Sequence, residues 1–158
     1  MTIYLLIILI LVLLVVYAVR WFLQWHPRYK RKADDDLSKF FKELLDLDYL
    51  EKGFMVIEAP NNKRFIQFHS YTKGKKRGLQ FDFPLAPWSE PYYEILEKQL
   101  YDRGIDYETQ KTGEETVVSF ITVDLKRDLA GAMELAKLVL LEVFKLQPGD
   151  RIKIYLSQ

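Results

Sequence analysis

No cysteine occurs anywhere in the 158 residues. That absence excludes a disulfide framework, a thiolate zinc or iron–sulfur centre and a cysteine nucleophile. Histidine is nearly as scarce, at His26 and His69 only. A single histidine within the folded part cannot build a two-histidine metal centre, and no serine or acid stands near it at a recognisable catalytic spacing. Neither a calcium-loop spacing nor a G-x-x-x-x-G-K-[ST] phosphate loop is present, and no internal repeat or low-complexity tract breaks the chain. The expectation is a protein that is not an enzyme, with no catalytic residue, no metal and no cofactor.

Charge is also missing where it would be most informative. Residues 1–19 carry none, and residues 1–33 hold five basic side chains, Arg20, Arg28, Lys30, Arg31 and Lys32, without one acid. Against totals of 23 Lys+Arg and 22 Asp+Glu, the remainder holds 18 basic and 22 acidic groups. The near-neutral whole is therefore a basic leader joined to a mildly acidic body.

The uncharged stretch is rich in Ile, Leu and Val, and a helix through Trp25 would reach roughly 30 Å, enough for one bilayer crossing. A cleaved secretory signal would want a positive start and small residues at its end; this stretch has neither, so a retained anchor is expected over residues 1–25. The basic residues follow the span, which predicts a cell-membrane protein with its N-terminus outside and its C-terminal domain in the cytoplasm. Residues 26–33 then form a juxtamembrane tether. Arg20, Arg28, Lys30, Arg31 and Lys32 are expected at lipid headgroups, joined by Lys75, Lys76 and Arg77 from a glycine-bounded hairpin tip. The membrane is thus one expected partner, and nucleic acid is not.

Residues 34–158 have the size of one domain. Asp34, Asp35 and Asp36 can cap a helix whose stripe is Leu37, Phe40, Phe41, Leu44 and Leu45. Phe54–Ala59 and Arg64–Tyr71 flank the turn formers Pro60, Asn61 and Asn62, and Leu79, Phe81 and Phe83 alternate with Gln80 and Asp82, which predicts a three-strand meander. Ser89 and Pro91 open a second helix, and Gly104 suits its end. Ile105–Lys111 and Thr116–Val123 predict a second hairpin. Asp124 is expected to cap a long apolar helix running to about Leu146. Ile152, Ile154 and Leu156 then alternate in a possible sixth, C-terminal strand.

The fold class expected is therefore α+β: one transmembrane helix, then an α-β-β-β-α-β-β-α domain on an antiparallel sheet. In this order, and in the segments Phe65-Ile66-Gln67-Phe68 and Leu79-Gln80-Phe81-Asp82-Phe83 with the apolar last helix, residues 34–146 resemble the class I type III secretion chaperones and the related YbjN-like sensory proteins. The resemblance implies helices on one face of the sheet, peptide binding rather than catalysis, and a homodimer among the assemblies it admits.

The functional expectation that follows is a membrane-tethered protein- or peptide-binding adaptor, a chaperone-like module or a small subunit of a membrane complex. Two partner-binding places are expected: the loop cluster Pro87, Trp88, Tyr92 and Tyr93, where full burial is hard, and the terminal strand with Ile152 and Ile154, whose edge could accept a peptide strand. The alternatives are a membrane-bound hydrolase or transferase using carboxylates near His69, and an anionic-lipid sensor using the two basic clusters.

Overall fold

The computed structural model describes residues 29–46, 53–60, 64–74, 76–112 and 118–157. Its strands are β1 (Tyr29–Lys32), β2 (Phe54–Glu58), β3 (Phe65–Lys73), β4 (Lys76–Leu85), β5 (Glu108–Thr112), β6 (Val118–Lys126) and β7 (Arg151–Ser157). Its helices are α1 (Ser38–Asp46), α2 (Glu90–Asp102) and α3 (Leu129–Lys137), the last continuing as π-helical turns over Leu138–Val143. The strands form one antiparallel sheet in the order β1-β7-β2-β3-β4-β6-β5.

The expected fold class is corrected on two counts. The sheet has seven strands, because Tyr29–Lys32, expected as tether, pairs along β7. Among the described residues no helix is long and apolar enough to cross a membrane. The expected anchor over residues 1–25 lies outside the described residues, as do Arg20, Arg28 and Lys75. The single-pass topology and the cell-membrane location drawn from it therefore have no support among the described residues.

Local chemistry sets the helix ends. Asp36 accepts the Ser38 backbone N–H at 2.8 Å and so caps α1; that hydrogen bond, seconded by the Ser38 hydroxyl, holds its carboxyl below the usual range. The stripe Leu37, Phe40, Phe41, Leu44 and Leu45 is buried without exception. α3 is capped by Asp128, whose Oδ1 accepts the Gly131 N–H at 2.9 Å, and not by Asp124, the residue the sequence suggests. The displacement has a cause in the sheet: β6 continues to Lys126, and Leu79 and Gln80 pair with Lys126 and Asp124, leaving Leu125 as a bulge. Lys126 and Lys145 both take positive φ, of 51° and 59°, where β6 stops and where the π-helical turns end.

All three helices lie on one face. Beneath them stand Met55, Ile57, Ile66, Phe68, Leu79, Phe81, Phe83, Ile121, Val123, Ile152, Ile154 and Leu156, all buried. Phe68 meets Phe41 of α1 at 4.8 Å and Phe81 at 5.3 Å between ring centroids, while Phe83 meets Phe144 at 6.1 Å. The opposite face of the sheet is covered by no described element.

Candidate functional site

Two places stand out, one on each side of the sheet. The first is a groove of about 980 Å³ where the end of β6 and the β6–α3 turn meet the C-terminal end of α2 and the π-helical turns. Its floor is apolar: Val123, Leu135 and Leu138 are buried, and Ile105, Leu125 and Leu141 are half-buried and face it. The size falls at the upper end of ordinary ligand clefts. Charges of both signs form the rim. Arg103 donates through Nη2 to both oxygens of Glu142, at 2.8 and 3.0 Å, and also bonds Gln99, which ties α2 to the π-helical turns across the groove. Exposed Lys126, Arg127, Asp106 and Glu134 complete it. The bulge at Leu125 brings that side chain to the floor, and the wider π turns present Leu138 and Leu141 beside it.

The second place is a hydrogen-bonded network on the open face. His69 on β3 sets Nδ1 2.6 Å from Asp82 Oδ2 on β4, and Gln80 donates to the other Asp82 oxygen at 2.8 Å. Asp82 is only 5% exposed, so both of its oxygens need the partners they have. Beside it Tyr71 donates to Asp124 Oδ1 at 2.5 Å, with its ring over Gly78, where a Cβ would come within 2.5 Å of the ring. Gly78 is required for that approach. Toward the other edge Tyr155 donates to Glu58 at 2.8 Å, and Lys153 pairs with the second Glu58 oxygen at 3.5 Å. Burial first, and then the bond to the neighbouring carboxylate, push the phenols of Tyr71 and Tyr155 up to about 12.

The predicted site residues are scattered by the fold. Trp88 packs at 5.2 Å on Phe65 and 6.0 Å on Phe83, and Tyr92 packs at 5.1 Å on Phe144 and receives a hydrogen bond from Arg64. Both are half-buried, closing one end of the core, while Pro87 is exposed and Tyr93 half-buried. Ile152 and Ile154 do not stand at an edge: β7 is paired on both sides, and both side chains are fully buried beneath the helices. That strand cannot accept an added one. Lys30, Arg31 and Lys32 lie in β1, with Arg31 turned to the helix side, 5.6 Å from the Phe40 ring centroid. Lys76 and Arg77 begin β4.

Family models, curated proteins and solved structures give no match to this chain. The site therefore stands on its own geometry. Sequence reasoning missed the groove residues Arg103, Leu125 and Glu142; it noted the excess apolar surface at Leu141 without a groove, and it placed carboxylates near His69 without fixing the His69–Asp82 bond. The stretch Leu135–Glu142, charged only at Lys137 and Glu142 and too apolar for one helix stripe, is the one signal that pointed toward the first.

Proposed function

We propose that this chain is a peptide-binding module that seats an amphipathic helical segment of a partner protein in the groove between α2, β6 and the π-helical turns. The observation that carries this reading is an apolar floor, Ile105, Leu125, Leu138 and Leu141, enclosed by a rim of both charge signs. A partner helix would lay its apolar stripe on that floor, and its flanking charges would find opposite signs at Arg103 and Glu142 or at Lys126 and Arg127. Leu141 is the natural anchor, being half-buried and part of the apolar floor. Leu141→Asp is expected to weaken binding of amphipathic helical peptides from an array by roughly thirtyfold, the scale of one interface hot spot. Retained affinity in that variant, with its melting temperature unchanged, would remove the groove from consideration.

A second reading is favoured by the His69–Asp82 pair, which is the arrangement of an oriented general base acting on water in a hydrolase or transferase. Among the described residues His69 hydrogen-bonds no hydroxyl that could serve as nucleophile. A panel of ester, phosphate and glycoside substrates tests it: turnover that disappears in His69→Gln supports it, and turnover absent from the wild-type chain disposes of it.

A further inference from the structure

The register of β1 on β7 sets Lys30 directly opposite Lys153 and Lys32 directly opposite Arg151. All four side chains are exposed on the open face of the sheet. Opposed Cβ atoms on antiparallel strands stand about 5 Å apart, and alternate residues along one strand about 7 Å apart. Four cations therefore occupy one small rectangle. Like charges placed directly opposite destabilise a sheet, so this corner works against the fold unless something anionic comes to it.

Among the described residues the chain's own acids relieve it only in part. Glu58, next along the row, pairs with Lys153 and gives its second oxygen to Tyr155. Asp35 and Asp150 are close in sequence, yet both turn to backbone: Asp35 accepts the Lys32 N–H at 2.9 Å, and Asp150 accepts the Gln147 N–H at 2.9 Å. Arg31, between the two lysines, is committed to the opposite face.

We propose that this corner docks an extended acidic segment of another protein, with carboxylates at alternate positions. Alternate residues of an extended chain repeat at about 7 Å, the same spacing as Lys30 to Lys32 and Arg151 to Lys153. A narrow occupant fits better than a broad anionic surface, because the rest of the open face carries Glu58, Asp82, Asp124 and Glu108, which such a surface would press against. The segment lies across the face instead of extending the sheet. At the outer edge of β1 the Lys32 N–H and C=O are both engaged by Asp35, and the Lys30 carbonyl accepts from Arg31 at 3.1 Å. Side-chain charge, not a main-chain ladder, supplies the attraction, so it is sensitive to salt. This surface is separate from the groove, and its fate is independent of Leu141→Asp.

The test uses the full chain and a fluorescent decapeptide of alternating Glu and Thr, with three competitors: a peptide of the same composition with its glutamates clustered, phosphatidylserine vesicles, and a single-stranded oligonucleotide. The alternating peptide is expected to bind best and to weaken about tenfold between low and physiological salt. Lys30→Gln/Lys32→Gln is expected to lose about tenfold in peptide affinity while its melting temperature rises, since relief of crowding stabilises the sheet. Equal binding of the variant, preference for the vesicles, the oligonucleotide or the clustered peptide, or a melting temperature that does not rise would each overturn the proposal.

Discussion

The face of the sheet beneath the helices and the face turned away from them are built from alternate residues of the same strands, and they exclude water by different chemistry. Under the helices the neighbours across β2, β3, β4 and β6 are Ile57, Ile66, Phe68, Phe81 and Val123, and burial of hydrocarbon is enough. On the open face the corresponding row runs through Gln67, Asp82 and Thr122, and two of these three are only 5% exposed with no described element above them. Asp82 is hydrogen-bonded by the flanking Gln80 and His69, and the Thr122 hydroxyl donates to the Glu108 carbonyl at 3.4 Å. A polar group buried by its neighbours in this way depends on every partner. The covered face tolerates local softness as long as volume is kept; the open face depends on particular donors and acceptors.

That contrast can be broken in graded ways. Phe68→Ala, which removes a ring packed between Phe41 and Phe81, is expected to cost about 3–5 kcal/mol in denaturant unfolding. Asp82→Ala strands the His69 and Gln80 donors and is expected to cost about 1–3 kcal/mol. If Asp82→Ala instead stabilises the protein, the open-face network is not held together by its hydrogen bonds. The pH dependence follows from Tyr71 and Tyr155. Their folded values lie above the ordinary 10, so the stabilisation they carry is fully present below pH 10 and is lost as pH rises through about 12. Melting temperatures taken from pH 9 upward should fall across that interval, and the paired variant Tyr71→Phe/Tyr155→Phe should flatten the decline. Phe54→Thr, on the open face and 41% exposed, should change stability by no more than about 0.5 kcal/mol. A loss comparable to that of Phe68→Ala would mean that something covers this face in solution.

What could be read beforehand divides along the same line between local and distant information. The period-two run Leu79, Phe81, Phe83 and the helical stripe from Leu37 to Leu45 reach the buried positions their spacing implies, since each pattern is complete within a few residues. Tyr29–Lys32 gave no such sign. Three of its four residues are basic, and it becomes a strand only because Ile152 and Ile154, at the far end of the described chain, offer a ladder. The same missing partner hides the crowding of Lys30, Lys32, Arg151 and Lys153, and it made the terminal strand look like an edge. His69 and Asp82 meet through a register that depends on the exact residues of the β3–β4 turn, which its bounding glycines locate without fixing. The capping role passes from Asp124 to Asp128 because a bulge prolongs β6, and Trp88 and Tyr92 are drawn onto Phe65, Phe83 and Phe144 by contacts across the core. In each case short-range propensity was intact and a long-range contact decided the outcome.

The insertion of β7 between β1 and β2 also fixes an order of events during synthesis. A nascent chain can form the helix of α1 and the β2–β3–β4 meander from neighbouring residues, but β1 has no strand to join until Arg151–Ser157 has emerged. Until then one flank of β2 stays unpaired, with Met55 and Ile57 short of their neighbours Leu156 and Ile154. The growing sheet thus presents a sticky margin from the time β2 is made until β7 arrives, and β7 is the stitch that seals it.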